Sequence, residues 1–209
     1  MIKTLFKLWI NHIRDHIVLY VITIFMFLAG SSLGAFAVST LTAFQLQELV
    51  DYFNYFLTGF TYWDVSSSIV VQDAIFNSLI FIFSTWILGL TVIGIPIILL
   101  IVVFKGFIMG FTVGFLIFQK GFTGMLIAIF AVLPQNFFYV PGLIICAVVA
   151  ITFSLSLLRG TIDGRKFSFS HMFVNYILLL VVFCFLTVIG GLIEGYVAPI
   201  TMQIIITYF

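Results

Sequence analysis

Apolar residues fill long uninterrupted blocks of this chain, and polar residues collect in short stretches between them. A helix needs about 20 apolar residues to cross a bilayer. The blocks show no strand-like alternation, so they predict membrane helices rather than a barrel. Ahead of the first block, the opening MIKTLFKLWINHIRDH sets Lys3, Lys7, Asn11, Arg14 and Asp15 on one helical face and Leu5, Phe6, Trp9, Ile13 and Ile17 largely on the other. Residues 1–16 therefore predict an amphipathic helix in the membrane interface. A second amphipathic pattern lies in the long hydrophilic connection, 39–72. There Leu46, Leu49, Val50, Phe53, Phe56, Leu57 and Phe60 recur at i, i+3, i+4, i+7, opposite Gln47, Glu48, Asp51, Asn54 and Thr58. This stripe suits either the membrane surface or a partner protein, and Leu46, Leu49, Val50, Phe53, Phe56 and Leu57 are the candidate partner contacts.

Punctuation divides the apolar remainder: GIP at 94–96, FQKG at 118–121 and LPQN at 133–136. Arg159, Arg165 and Lys166 then mark a cytoplasmic loop over 159–171, before a last span at 172–193. The basic opening is placed in the cytoplasm by the positive-inside rule, and the 39–72 connection, with Glu48, Asp51 and Asp64 and no Lys or Arg, lies outside. The run 17–38 is too long for a signal peptide's apolar region and has no clean small-residue cleavage pattern, so it is expected to be the first permanent span. Starting and returning inside requires an even number of crossings before Arg159. The punctuation yields five apolar pieces: 17–38, 74–93, 96–118, 121–134 and 138–158. The shortest, 121–134, is below spanning length and is expected to be a re-entrant half-helix ending at Pro134. Gln135 and Asn136 would then hydrogen-bond the backbone groups left open by the break, and Pro141 would restart the chain at a helix N-terminus. An alternative keeps 74–104 as one crossing and makes 106–119 the re-entrant piece. The expected fold is all-α: one integral membrane domain over 1–209, with about five transmembrane helices plus one half-helix.

Composition bounds the chemistry. With 64% hydrophobic and 7% charged residues, the chain does not read as a soluble domain, and membrane lipids are its first partner. A net charge of +1 offers no basic surface for nucleic acid. Cys146 and Cys184 fall inside apolar blocks, where a thiol behaves as a small hydrophobe. His12 and His16 have metal-compatible spacing but no third ligand nearby. Protease, hydrolase and phosphate-loop signatures are missing, so no catalytic residue, metal or cofactor is expected.

Four intramembrane polar residues remain as candidates: Lys105, Gln135, Asn136 and Glu194. Lys105 is either a functional charge or a side chain snorkelling to the interface. Glu194 is either a packing or partner contact or a helix-end carboxylate reaching water. The two sit at different predicted depths. Gly106, Gly110 and Gly114, and again Gly191 and Gly195, have the four-residue spacing that lets helices approach closely, within the chain or in a homodimer. A broken helix with an amide pair also suits a small transporter or channel.

The stretches GIPIILLIVVFKGFIMGFTVGF (94–115), PQNFFYVPG (134–142) and EGYVAP (194–199), behind a short basic opening, resemble the stage II sporulation protein M family over nearly the whole chain. Where the wider family often carries an HGxxE element, this chain has Gln135, Asn136 and Tyr139. The resemblance implies a non-catalytic scaffold in the mother-cell septal membrane. It would act in forespore engulfment with stage II sporulation proteins D and P, which degrade septal peptidoglycan.

Overall fold

The computed structural model describes residues 13–62, 67–163 and 169–208, with side chains over most of that range. The 1–12 part of the expected interfacial helix lies outside these residues. So do the 63–66 part of the 39–72 connection, the loop residues 164–168 and the side chain of Arg159. The elements are α1 (Ile17–Ser39), α2 (Ala43–Tyr62), α3 (Ser67–Gly89), α4 (Gly94–Ile127), a π-helical turn (Ala128–Val132), α5 (Leu133–Asp163) and α6 (Phe169–Tyr208). Among the described residues there is no strand. Ile17–Ser39, Val71–Gly89 and Gly94–Leu158 are long and apolar enough to cross a membrane, and Phe183–Ala198 is a shorter apolar helix. The chain is an all-α membrane protein.

The closest joint is between α1 and α4. Glycines repeat every four residues on both, so each presents one face without side chains. A Cβ on Gly106 would run into the Phe27 carbonyl and one on Gly110 into the Ser31 carbonyl, while Gly114 faces Ala35. Reciprocally, Gly30 lies on the Val103 backbone and Gly34 on that of Phe107 and Phe111. Residue numbers rise together along both helices, so the pair is parallel, and the Ile17 end of α1 shares a side with the Gly94 end of α4. The glycine face offered by the sequence to other helices is thus occupied within the chain.

The half-helix expectation is corrected by the path after Lys120. The reversal falls at Gly121, at φ 55 and ψ −123, a conformation open to glycine. Gly124 then packs back on the Leu116 carbonyl. From there the chain stays helical through Pro134 and Pro141 to Asp163, so pieces 121–134 and 138–158 are one helix. Ser154 hydrogen-bonds the Thr91 carbonyl at 2.8 Å, beside the start of α4. The helix therefore runs antiparallel to α4 along its length. With these two pieces joined, the apolar helical pieces before Arg159 number four among the described residues, the even count that the parity expectation asks for without a half-helix. The α3–α4 break near Gly94 is observed, and continuous α4 rules out a re-entrant 106–119.

Pro134 does not end the helix because the register has already slipped. In the π-turn the Leu133 N–H pairs with the Ala128 carbonyl five residues back, so Pro134 enters in the first turn of the resumed α-helix, where its missing donor costs little. Asn136 Nδ2 donates to the Val132 carbonyl at 2.8 Å. Pro141 sits inside α5 and restarts nothing.

α6 runs antiparallel to α3 and to α5. Tyr176 stacks on Phe153 at a 4.6 Å centroid distance and donates to the Trp86 carbonyl at 3.1 Å, next to Gly89. At the other end Gly191 packs on Ile75. The core lies where Ile98, Val102, Ala147, Ala150 and Tyr176 meet. α2 begins with a capping box: Thr42 N–H donates to Gln45 Oε1 at 3.0 Å and Gln45 N–H to Thr42 Oγ1 at 3.4 Å.

A Cβ at Gly121 would meet nothing within 4 Å, so Gly121→Ala tests backbone conformation alone. The expected cost is about 1–3 kcal/mol, measured as a lower thermal midpoint in detergent. An unchanged midpoint would place the reversal elsewhere.

Candidate functional site

α3, α4, α5 and α6 leave a cavity of about 650 Å³ between them, and α2 lies over one end of it. All four intramembrane polar candidates, Lys105, Gln135, Asn136 and Glu194, line this one space. The sequence sets two of them, Lys105 and Glu194, at different predicted depths. On α3, Phe81 marks the level of Lys105 and Ile75 that of Gly191, one turn before Glu194. At 1.5 Å per residue these levels differ by roughly 9 Å. The depths do differ, and the cavity is long enough to hold both.

Each polar wall group has a local cause. Lys105 Nζ lies 5.0 Å from the centroid of the Phe81 ring, whose π face takes part of its charge. Glu194 Oε2 accepts from Tyr139 Oη at 3.0 Å. Tyr139 reaches it because Gly190 and Gly191 leave the ring room on α6. Asn136 spends its Nδ2 on the Val132 carbonyl. Gln135 is half-buried, and its buried Oε1 has no hydrogen-bond partner among the described residues. Thr112 and Thr187 return their hydroxyls to backbone carbonyls, so they line the cavity with their polar capacity already used.

The α2 stripe closes the end of the cavity. Leu49 and Phe53 line it, and Phe53 meets Phe115 of α4 edge-on at 5.9 Å. Leu46 and Val50 are half-buried, while the side chains of Phe56 and Leu57 lie outside the described residues. Tyr52 also lines the cavity. On the opposite face, Phe44 is 78% and Tyr55 70% exposed, beside the exposed Glu48 and Asp51. Gly106 and Gly110 are buried against α1 with Gly114 alongside, Gly191 is buried against α3, and Gly195 is buried on α6.

Sequence reasoning missed Tyr139, Asn77 and Ser78 on the cavity wall, and Gly30 and Gly34 on α1. The two glycines carried a findable signal, the same four-residue spacing seen on α4. Tyr139 was named only as a residue standing in the HGxxE element, and its bond to Glu194 left no local signal because that partner is 55 residues away.

A second cavity, of about 540 Å³, adjoins the first and shares Phe27, Met109, Asn136 and Val140 with it. Its remaining walls are apolar, from the π-turn to Pro141: Ile129, Leu133, Pro134, Phe137 and Pro141. Here the widened turn and the two prolines shape a groove on the flank of the bundle.

The family model SpoIIM, Stage II sporulation protein M, matches residues 23–199. That range takes in all four transmembrane-length or shorter apolar helices from α1 to α6 in whole or large part, both cavities and α2. No curated protein and no solved structure matches the chain.

Proposed function

We infer that this chain, which belongs to the stage II sporulation protein M family, is the non-catalytic membrane scaffold of an engulfment complex. In this reading it holds peptidoglycan-degrading partners, stage II sporulation proteins D and P, at the septal membrane of the mother cell. The N-terminal basic segment faces the cytoplasm, which puts α2 on the outer side with those partners. The observation that carries the reading is the double-faced α2. Its Leu49, Tyr52 and Phe53 row faces its own bundle, while the Phe44, Glu48, Asp51 and Tyr55 row is exposed on the other face. Exposed aromatics among carboxylates suit a protein contact, where such rings serve as anchors.

Affinity purification from sporulating cells tests this. The native chain is expected to recover the hydrolase partners and Phe44→Glu with Tyr55→Glu to lose them at matched expression. Leu49→Glu with Phe53→Glu should instead lower stability, by loosening α2 from the bundle. Equal recovery with the Phe44 and Tyr55 variant would remove α2 as the docking element, and no recovery with the native chain would end the scaffold reading.

A second reading, a small transporter or channel, is favoured by the convergence of Lys105, Gln135, Asn136 and Glu194 on one cavity. It requires that purified protein in liposomes move a solute or ion, and that Gln135→Leu with Asn136→Leu abolish the movement.

A further inference from the structure

The two adjoining cavities differ in chemistry. The first carries a cation and a carboxylate at separate levels, plus a buried amide oxygen without a partner among the described residues. The second is apolar and opens on the flank, where Phe137 is 75% exposed with Leu133 and Ile129 beside it. In a bilayer that flank faces acyl chains. An ionised pair held apart at membrane depth is costly unless something neutralises both ends.

We propose that the two adjoining cavities bind a zwitterionic phospholipid with a primary amine headgroup, its phosphate at Lys105, its ammonium at Glu194 and Gln135, and an acyl chain in the groove at Leu133 and Phe137. Net charge selects the class, since a zwitterion matches one cation and one carboxylate whereas an anionic lipid would leave Glu194 unmatched. The acceptors select the amine. Glu194 carboxylate and Gln135 Oε1 both take N–H donors, and a quaternary ammonium has none to give. The groove selects a lipid over a soluble zwitterion, because it lies beside the first cavity, with Phe27, Met109, Asn136 and Val140 common to both, and its apolar walls suit an acyl chain. The π-turn and the prolines at 134 and 141 gain a role here: they widen α5 where the chain would lie. The inference is independent of the scaffold reading, since lipid retention is measured without any partner protein.

The test uses purified full-length protein, delipidated in detergent and analysed by native mass spectrometry. Dioleoyl phosphatidylethanolamine, the matching phosphatidylcholine and phosphatidylglycerol, and soluble glycerophosphoethanolamine are added separately. The ethanolamine lipid is expected to be retained about tenfold better than the other two lipids, a difference of roughly 1.4 kcal/mol. Gln135→Leu should remove the preference, whereas Lys105→Met, which takes away the contact to the phosphate common to all three lipids, should lower retention of each of them. Leu133→Trp, which fills the groove from an exposed position, should lower retention of every lipid while the protein stays monodisperse and melts near the native temperature. Equal retention of the three lipids overturns the proposal. So does a preference that survives Gln135→Leu, retention unchanged by Lys105→Met, or glycerophosphoethanolamine binding as tightly as the lipid, which would mark a site for a soluble solute.

Discussion

Gly110→Leu is expected to abolish the folded state or to lower stability by about 3 kcal/mol or more, the upper end of what overpacking costs. At this position a side chain has no flexible neighbour to displace. It would meet the Ser31 carbonyl and the Ser31 Cα, which are backbone. α1 and α4 would have to separate along their common length, and Gly106, Gly114, Gly30 and Gly34 would lose contact together. Gly34→Leu should do the same from the other helix, against the Phe107 carbonyl. Leu100→Ala, on an exposed part of α4, is the control and should change stability by no more than about 0.5 kcal/mol. Size-exclusion profiles and thermal unfolding in mild detergent read all three. A native-like melt for Gly110→Leu would mean that the two helices do not lie backbone to backbone.

How far the chain was legible follows from which rules are local. Four-residue spacing defines a helix face by geometry alone, so Gly106, Gly110 and Gly114 were readable as a packing face; that the face meets α1 of the same chain was not. The amphipathic α2 was legible from its period, but period shows only that a stripe is apolar, not what covers it. Phe53 against Phe115 is a tertiary fact.

The proline stretch was misread for a physical reason. A proline ends a helix when its missing N–H and its ring disturb an intact i−4 ladder. Here the ladder has shifted to i−5 before Pro134, and no residue type in AIFAV announces a π-turn. Counting apolar pieces gave the wrong solution for 121–158, since piece counting cannot tell two helices from one helix with two apolar halves. The cavity was the least legible feature. Lys105 and Glu194 were placed at different depths, which the levels of Phe81 and Ile75 support, but depth does not reveal which helices enclose a common space.

Tyr139→Phe is expected to cost about 1.5–3 kcal/mol, the range for a hydrogen bond to a charged group. The phenol hydroxyl is the donor to Glu194 Oε2, and removing it leaves a carboxylate facing a largely apolar chamber. Glu194→Gln should cost less, because the amide oxygen still accepts from Tyr139 and no charge is left unmatched. Glu194→Leu combined with Tyr139→Phe should be less destabilising than the sum of the two single changes, since the apolar pair leaves neither a donor nor an acceptor unsatisfied; the double-mutant cycle isolates that coupling. Thermal unfolding of the four variants in one detergent measures it. If Tyr139→Phe melts like the native chain while Glu194→Leu does not, the carboxylate is held by another group, and Lys105 across the cavity is the one whose charge fits.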